Sequence, residues 1–233
     1  METITKNALD IYLNDRSVIT PLNLSHLRFE NMDLSGMDLS NINFDLSIFH
    51  NVIFDHADLS CSSFENALLD DCSLYEVSLE NASLKGCSMR RCNLEGACLK
   101  GADLFSAILE KAVLNRVSID QSTKWFQLRC PEKGAFIGYK KCLYDRIVTL
   151  YIPEDAKRTS ATLPTCRCSK AKVLRITNFD NTENYKEAWS LVDENFVYRL
   201  GEWVEVLNFN EDRWMDSTTG IHFWMNREEA LNY

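Results

Sequence analysis

The sequence has no apolar run approaching the ~18 residues that a membrane-spanning helix needs, so a helical membrane protein is not expected. Residues 1–17 contain no basic stretch followed by an apolar one, and secretion is not expected either. Positive charge is not in excess. The formal net charge is -9, which disfavours sequence-independent binding to nucleic acid, so neither direct nucleic-acid contact nor membrane association is expected. The chain has no Walker loop and no G-x-G-x-x-G, so the usual phosphate cradles are missing. Nine cysteines are an odd number and their spacing suggests no disulfide framework, which points to a reducing cytoplasm with mostly free thiols. What remains is the composition of a folded chain. With 233 residues, 45% hydrophobic and 25% charged, it has room for one large or two ordinary domains.

Charge is unevenly placed. Residues 24–120 hold fifteen acids and seven bases, whereas residues 121–233 hold sixteen of each. The acidic segment is also where a repeat appears. From Leu24 to Ile119 a bulky apolar residue recurs every five positions, through Phe29, Leu34, Leu39, Phe44 and Leu59, for twenty repeats in one register. Two residues before each lies a second apolar series, larger at Leu22, Leu27 and Met32 and mostly small after Ile42. Two residues after the large position stand turn formers in many repeats, among them Asn31, Gly36, Asn41, Asn66, Gly86 and Gly101. A period of five fits neither a helix nor a strand. It fits a chain that makes one short side and one corner every five residues, with both apolar series pointing inward.

Strings such as Ala57-Asp58-Leu59 and Ala102-Asp103-Leu104 resemble the pentapeptide-repeat family. The resemblance implies a right-handed quadrilateral β-helix with four repeats per coil, here about five coils and ~24 Å of rod at the ~4.8 Å strand spacing. Residues 1–21 then read as an N-terminal capping helix and entry, with Ile4, Ala8, Ile11 and Tyr12 on one side of a helix over 2–14 and Pro21 at the entry. Residues 22–121 are the β-helix, and 122–233 form a small α+β C-terminal domain. The fold class expected is mainly β.

With four repeats per coil, positions twenty apart stack in columns. The outward position before each large residue is usually polar but becomes aliphatic at Ile48, Ile53, Leu68, Ile108 and Val113. Such a cluster reads as a partner surface, as the docking site of the C-terminal domain, or as a homodimer seam. Residues 24–80 carry eleven acids against Arg28, whereas 81–120 carry four acids and six bases. The linear charge density of the acidic part, one per ~1.4 Å, resembles the one per ~1.7 Å of duplex DNA, and some members of the family act as DNA mimics. Asp38, Asp45, Asp55, Asp58, Asp70 and Asp71 are the acids singled out for partner binding.

In the C-terminal part, β-like runs occupy 135–139, 147–152, 172–177, 203–207 and 221–224, with a short helix expected over 186–195 and a terminal one over 226–232, capped by Asn226. Residues 134–142, 146–162, 166–176 and 220–233 resemble a C-terminal domain found fused to such repeats in bacteria, phages and large DNA viruses; the resemblance implies architecture and source but no reaction, and for a viral protein the host cytoplasm. Three constellations carry chemistry. Cys142, Cys166, Cys168 and His222, with Cys130 as a further member, are metal-ligand types, although a Cys-x-Cys without a second close pair is a poor zinc signature, and no metal or other cofactor is expected. Cys166 or Cys142 with His222 would make a nucleophilic pair. Residues 140–175 hold nine bases and three acids, and Lys140, Lys141, Arg158, Arg167 and Lys170 with His222 are candidates for binding a small anionic ligand or nucleotide.

The reading that joins these observations is a non-enzymatic interaction protein. It would act as an inhibitor or decoy that occupies a partner protein's site through the rod, with a host defence or DNA-handling protein as the target class. Its alternatives are a ligand-sequestering protein and a cysteine- or zinc-dependent enzyme. The register makes its own prediction. Leu59→Asp should unfold the rod, because a carboxylate would enter the inward ladder unpaired. Thermal denaturation followed by circular dichroism checks this, and a fully stable variant would refute the register.

Overall fold

The computed structural model describes residues 1–15, 21–193 and 195–233. The chain divides into two compact units, Met1–Phe126 and Gln127–Tyr233. In the first, β1 (Glu2–Thr3) is followed by α1 (Lys6–Asn14). Thr5 caps the helix, its hydroxyl accepting the Ala8 N–H at 3.2 Å. The helix is shorter than the expected 2–14, because residues 2 and 3 pair in parallel with Leu27 and Arg28 instead. Its buried side also differs. Ile4 and Leu9 are buried, whereas Ile11 and Tyr12 are exposed. Residues 16–20 of the expected entry lie outside the described residues.

The five-residue period becomes structure through backbone handedness. Every fifth residue from His26 to Arg116 has positive φ. This places a corner in each pentapeptide, and it explains the Asn and Gly of the third series, which adopt that conformation at little cost. The same corner is forced on residues such as Leu46, at φ 59°. Between corners the chain is extended. Strands β2 (Leu22–Asn23) and β4 (Ile42–Asn43) pair in parallel, as do β3 (Leu27–Glu30) and β5 (Ile48–His50), always between residues twenty apart. Single bridges with the same offset continue from Asp33↔Ile53 to Cys98↔Ser118. The rung partner of each bridged residue is therefore four pentapeptides away.

With corners and rungs fixed, the large series from Leu24 to Leu109 is buried without exception. Like residues stack on like: Phe29 on Phe49 with ring centroids 4.6 Å apart, Phe44 on Phe64 at 5.0 Å. Where the small inward position is serine, the hydroxyl is fully used. Ser47 accepts the Leu27 N–H and donates to the Leu24 carbonyl, and Ser62 does the same for Ile42 and Leu39. Near the end of the unit the inward residues Ala112, Leu114, Val117 and Ile119 are only half-buried. The final rung, Asp103↔Lys124, has an offset of 21 rather than twenty. One extra residue is accommodated there by a turn in which Asp120 Oδ1 accepts from the Ser122 and Thr123 amides.

Among its described residues the second unit is a seven-stranded sheet with one five-residue helix, so it too is mainly β. Its strands are β6 (Phe136–Cys142), β7 (Arg146–Ile152), β8 (Arg158–Thr159), β9 (Thr165–Cys168), β10 (Lys170–Asn178), β13 (Trp203–Glu205) and β14 (Ile221–Trp224), in the order β13-β10-β7-β6-β14-β9-β8. β11 (Glu187–Trp189) and β12 (Val197–Arg199) form a separate hairpin. Within the described part of the helix expected over 186–195, strand Glu187–Trp189 stands instead, and Glu194 lies outside the described residues. The helix-forming Lys, Glu, Ala and Leu of the segment yield to pairing that buries Ala188 and Tyr198. The terminal helix α2 (Arg227–Leu231) lies where expected, with the Asn226 side chain accepting the Glu229 N–H at 2.8 Å. One face of the sheet packs Leu150, Val173, Tyr198 and Phe223 together with Cys142, Cys166 and Cys168. The other packs Ile147, Trp224 and Ala230.

The corners separate two costs of a side chain. A methyl group at Gly36 (φ 65°) would meet nothing within 4 Å, whereas at Gly101 (φ 71°) it would lie 2.1 Å from Asn81 Oδ1. Gly36→Ala should lose ~1 kcal/mol through backbone strain alone, and Gly101→Ala should lose more, about 1–2 kcal/mol. Urea denaturation of both variants reads the difference.

Candidate functional site

The wall of the first unit is built by its columns. Arg28, Ile48, Leu68, Ser88 and Ile108 bridge one another in sequence, and Asp33, Ile53, Ser73, Asn93 and Val113 do so in the next column. Ile48 and Leu68 are therefore rung neighbours in one column, and Ile53 stands in the next column at a similar height. Ile108 and Val113 lie two and three rungs further along, beyond the polar Ser88 and Asn93. Leu68 is 46% exposed and Ile53 39%.

The acids of this wall are partly committed to it. Asp45, Asp55 and Asp70 follow one pattern: Oδ1 accepts the hydroxyl of a serine on the next rung (Ser63, Ser73, Ser88) and the backbone N–H twenty residues on (Glu65, Tyr75, Arg90). Asp38 and Asp58 face each other across a rung, each accepting the amide two residues on. Asp71 is held in a two-pronged pair with Arg91, both contacts 2.6 Å. That guanidinium keeps the Asp71 carboxyl below its ordinary range. The basic upper rungs therefore sit over the acidic lower ones: Lys85 on Glu65, Arg90 on Asp70 and Arg116 beside Glu76 and Glu95. Cations thus meet part of the acidity, at Glu65, Asp70, Asp71 and Glu76, whereas the partners of Asp45, Asp55 and Asp58 are hydroxyls and amides.

In the second unit the register separates the cysteines from the histidine. His222 on β14 lies opposite Arg167, while Cys166 and Cys168 lie opposite Phe223 and Ile221. Directly opposed residues share a face, so the His222 side chain is on the other side of the sheet from both cysteines. Neither the candidate metal-ligand set nor the Cys166–His222 pair is assembled, and Cys142 also belongs to the cysteine face. Among the described residues no three His, Cys, Asp or Glu side chains converge on a metal position. His222 Nε2 lies 3.1 Å from the Thr218 carbonyl. Of that candidate set Cys130 and Cys166 do lie in one core cluster and perturb each other: the Cys166 thiol lowers Cys130, while Cys130 and burial raise Cys166.

The six anion-binding candidates divide in half. Arg158 donates to the carbonyls of Pro131, Gly134, Pro153, Glu154 and Ala156. Arg167 donates to those of Asn210, Asp212 and Thr219. Both organise loops. Lys170 pairs with Asp155 at 2.6 Å. Lys140, Lys141 and His222 instead line one cavity of about 540 Å³, together with Thr218, Thr219, Trp224 and Tyr233. The Lys141 amine reaches the Leu231 carbonyl at 3.0 Å, at the C-terminal end of α2. Lys140 is 6% exposed, and burial lowers its amine below the ordinary lysine value. The residues Thr218-Thr219-Gly220 lacked any signal in the sequence beyond a break before a strand.

These features meet their comparisons as two halves. A model for pentapeptide repeats matches residues 23–60, 57–96 and 72–110, and a family of unknown function (DUF5758) matches 126–230. The chain carries pentapeptide repeats followed by a DUF5758 region. Solved structures similar to the repeats include HetL, a pentapeptide repeat protein involved in heterocyst differentiation regulation from the cyanobacterium Nostoc sp. strain PCC 7120. It shares 25% identity over 41% of this chain and 48% of its own, with a TM-score of 0.25. Rfr23 from the cyanobacterium Cyanothece 51142 shares 29% over 52% and 79%, with a TM-score of 0.25. A pentapeptide repeat protein of the Arabidopsis thaliana thylakoid lumen shares 20% over 42% and 68%, with a TM-score of 0.32. The chain thus spans about half the length of HetL. No curated protein matches it. Among the described residues no helix of either half is long and apolar enough to cross a membrane.

His222 gives the DUF5758 region a pH signature. Burial pushes its imidazole below the ordinary 6.5, reinforced by Lys140 and Arg167 and opposed by the Thr218 carbonyl and Asp216. The folded state thus holds His222 neutral while the unfolded chain takes up a proton, so its contribution is complete above pH ~6.5 and is lost as the pH falls from there towards the depressed folded value. His222→Gln should flatten that part of the stability–pH curve, measured by urea denaturation between pH 5 and 7.

Proposed function

We propose that the repeat unit is a right-handed quadrilateral β-helix of about five coils that acts as a rigid, non-enzymatic interaction surface. It would occupy a partner protein's site in the manner of an inhibitor or decoy. The observation that supports this most is the pairing of Ile48 and Leu68 in one column with Ile53 in the next, on adjacent walls whose other outward positions are largely polar, with Ile53 and Leu68 exposed. Burying them against a partner gains apolar contact without reorganising the wall, since every rung is already hydrogen-bonded and little entropy is lost.

The acids contribute in a specific way. Asp55 follows Ile53 by two residues and Asp70 follows Leu68 by two, so each aliphatic is flanked by a carboxylate. Oδ1 of each is fixed by the rung above, which leaves Oδ2 for a donor on the partner, although for Asp70 the Arg90 guanidinium stands 3.9 Å from that oxygen. Asp38, Asp45 and Asp58 add negative potential around the patch and steer a basic partner towards it, whereas Asp71 could contribute only by exchanging Arg91 for a donor of the partner. Ile108 and Val113 form a lesser, separate contact. The favoured partner surface is an apolar depression with basic edges, and a host defence or DNA-handling protein in the cytoplasm is the first class to test. A second copy of this chain is the competing occupant.

Native mass spectrometry of the tagged protein recovered from lysate tests this reading. The expected result is a stoichiometric protein partner, lost with Ile48→Lys and with Leu68→Lys, each weakening the complex by about tenfold or more. Retention of the partner by both variants would overturn the patch, and a dimer of the chain alone, abolished by the same variants, would assign it to self-association.

A further inference from the structure

β14 pairs with β9 at four register positions but with β6 at only one, Trp224↔Tyr139. Lys140 of β6 sits beside that short seam, and its amine donates to the His222 carbonyl at 3.2 Å. Among the described residues this is the amine's one hydrogen-bond acceptor, and no carboxylate lies within ion-pair distance. The ring of Tyr198 lies 5.9 Å away, at the limit of a cation–π contact. A lysine buried to this extent is normally paired. Here two of its three protons have no partner.

Two residues from the core Cys142 on the same strand, Lys140 nevertheless borders open space. Lys140 lines the cavity of about 540 Å³ and also an adjoining one of about 500 Å³, and the two share His222, Asp193 and Thr219. Trp224 and Tyr233 wall the first and Tyr198 the second. An unpaired buried cation at the junction of two aromatic-lined hollows of this size is a common composition for a small-molecule site: apolar walls for the body and one charged group for orientation. Asp193 faces both hollows and Glu205 the second. Their charge disfavours a polyanion such as a nucleoside triphosphate and leaves room for one compact anionic group on Lys140. His222 holds its proton on Nε2 against the Thr218 carbonyl, so its other ring nitrogen is left as an acceptor.

We infer that the DUF5758 region binds a small molecule with one anionic group, a carboxylate or a single phosphate, on an apolar or aromatic body, with the Lys140 amine as the anchor. The burial that lowers the amine increases the share of its neutral, nucleophilic form, which favours reaction of Lys140 with aldehydes. Pyridoxal 5′-phosphate, a flat aldehyde with a single phosphate, is therefore a suitable probe. The full chain is treated with it, reduced with borohydride, and the modified lysines are quantified by peptide mass spectrometry. Lys140 should be labelled about tenfold faster than the exposed Lys157, as expected of a perturbed amine in a pocket. Millimolar benzoate or inorganic phosphate should protect it, the more effective of the two identifying the anion, and ATP should protect less.

Labelling of Lys140 no faster than that of Lys157, or labelling indifferent to both benzoate and phosphate, would overturn the assignment. Lys140→Met gives a second readout. Replacing an unpaired buried cation with an apolar chain should keep or raise the melting temperature while abolishing any increase produced by benzoate or phosphate. A variant that melts far lower than the native chain, with native Lys140 unlabelled, would instead make the lysine a structural group.

Discussion

The repeat half rests on one constraint, the backbone hydrogen bonds between rungs twenty residues apart. Leu34 donates to the Ile53 carbonyl and Ile53 donates to that of Met32, and the same two-way exchange recurs up the stack. Because each pentapeptide is bonded above and below, its side chains have almost no choice of direction. Large residues must face inward, where they are buried from Leu24 to Leu109. The outer face is then set by the sequence one column at a time. The Ile48–Leu68 pair is one of the few places where a column turns aliphatic, and Ile53 is another in the next column.

The DUF5758 half obeys the two-residue alternation of a sheet. That alternation decides which chemistry is available. It sends Cys142, Cys166 and Cys168 to one face with Tyr198 and Phe223, and it sends His222 to the other. Residues of metal-ligand type are thereby kept apart, while Lys140 and His222, eighty-two positions apart, are joined by a hydrogen bond.

How much of this could be read beforehand depends on the range of the forces involved. The corner residues Asn31, Gly36 and Asn66 and the inward Leu59 were legible because a repeat advertises its own long-range contacts: the partner of each residue is simply the one twenty further on. The terminal helix was legible through Asn226, since capping is local. The segment 186–195 misled because its residues favour a helix while the partner that overrides them, Val197–Arg199, offers no local sign. The roles of Arg158 and Arg167 were hidden for the same reason. Their acceptors are carbonyls of loops far off in the chain, and a carbonyl leaves no mark in a sequence. Asp45, Asp55 and Asp70 were legible as charges but not as brackets holding the next rung.

The offset of twenty also governs how the repeat half can change length. Loss of a single residue between two corners would move every later side chain to a different wall and turn inward residues outward. Loss of five would preserve the inside but displace all later pentapeptides by one column, parting Arg91 from Asp71 and Lys85 from Glu65. Loss of twenty would shorten the stack by one rung and return each surviving column to its place. Length variants of this protein should accordingly come in steps of five, and those that keep the outer wall intact in steps of twenty.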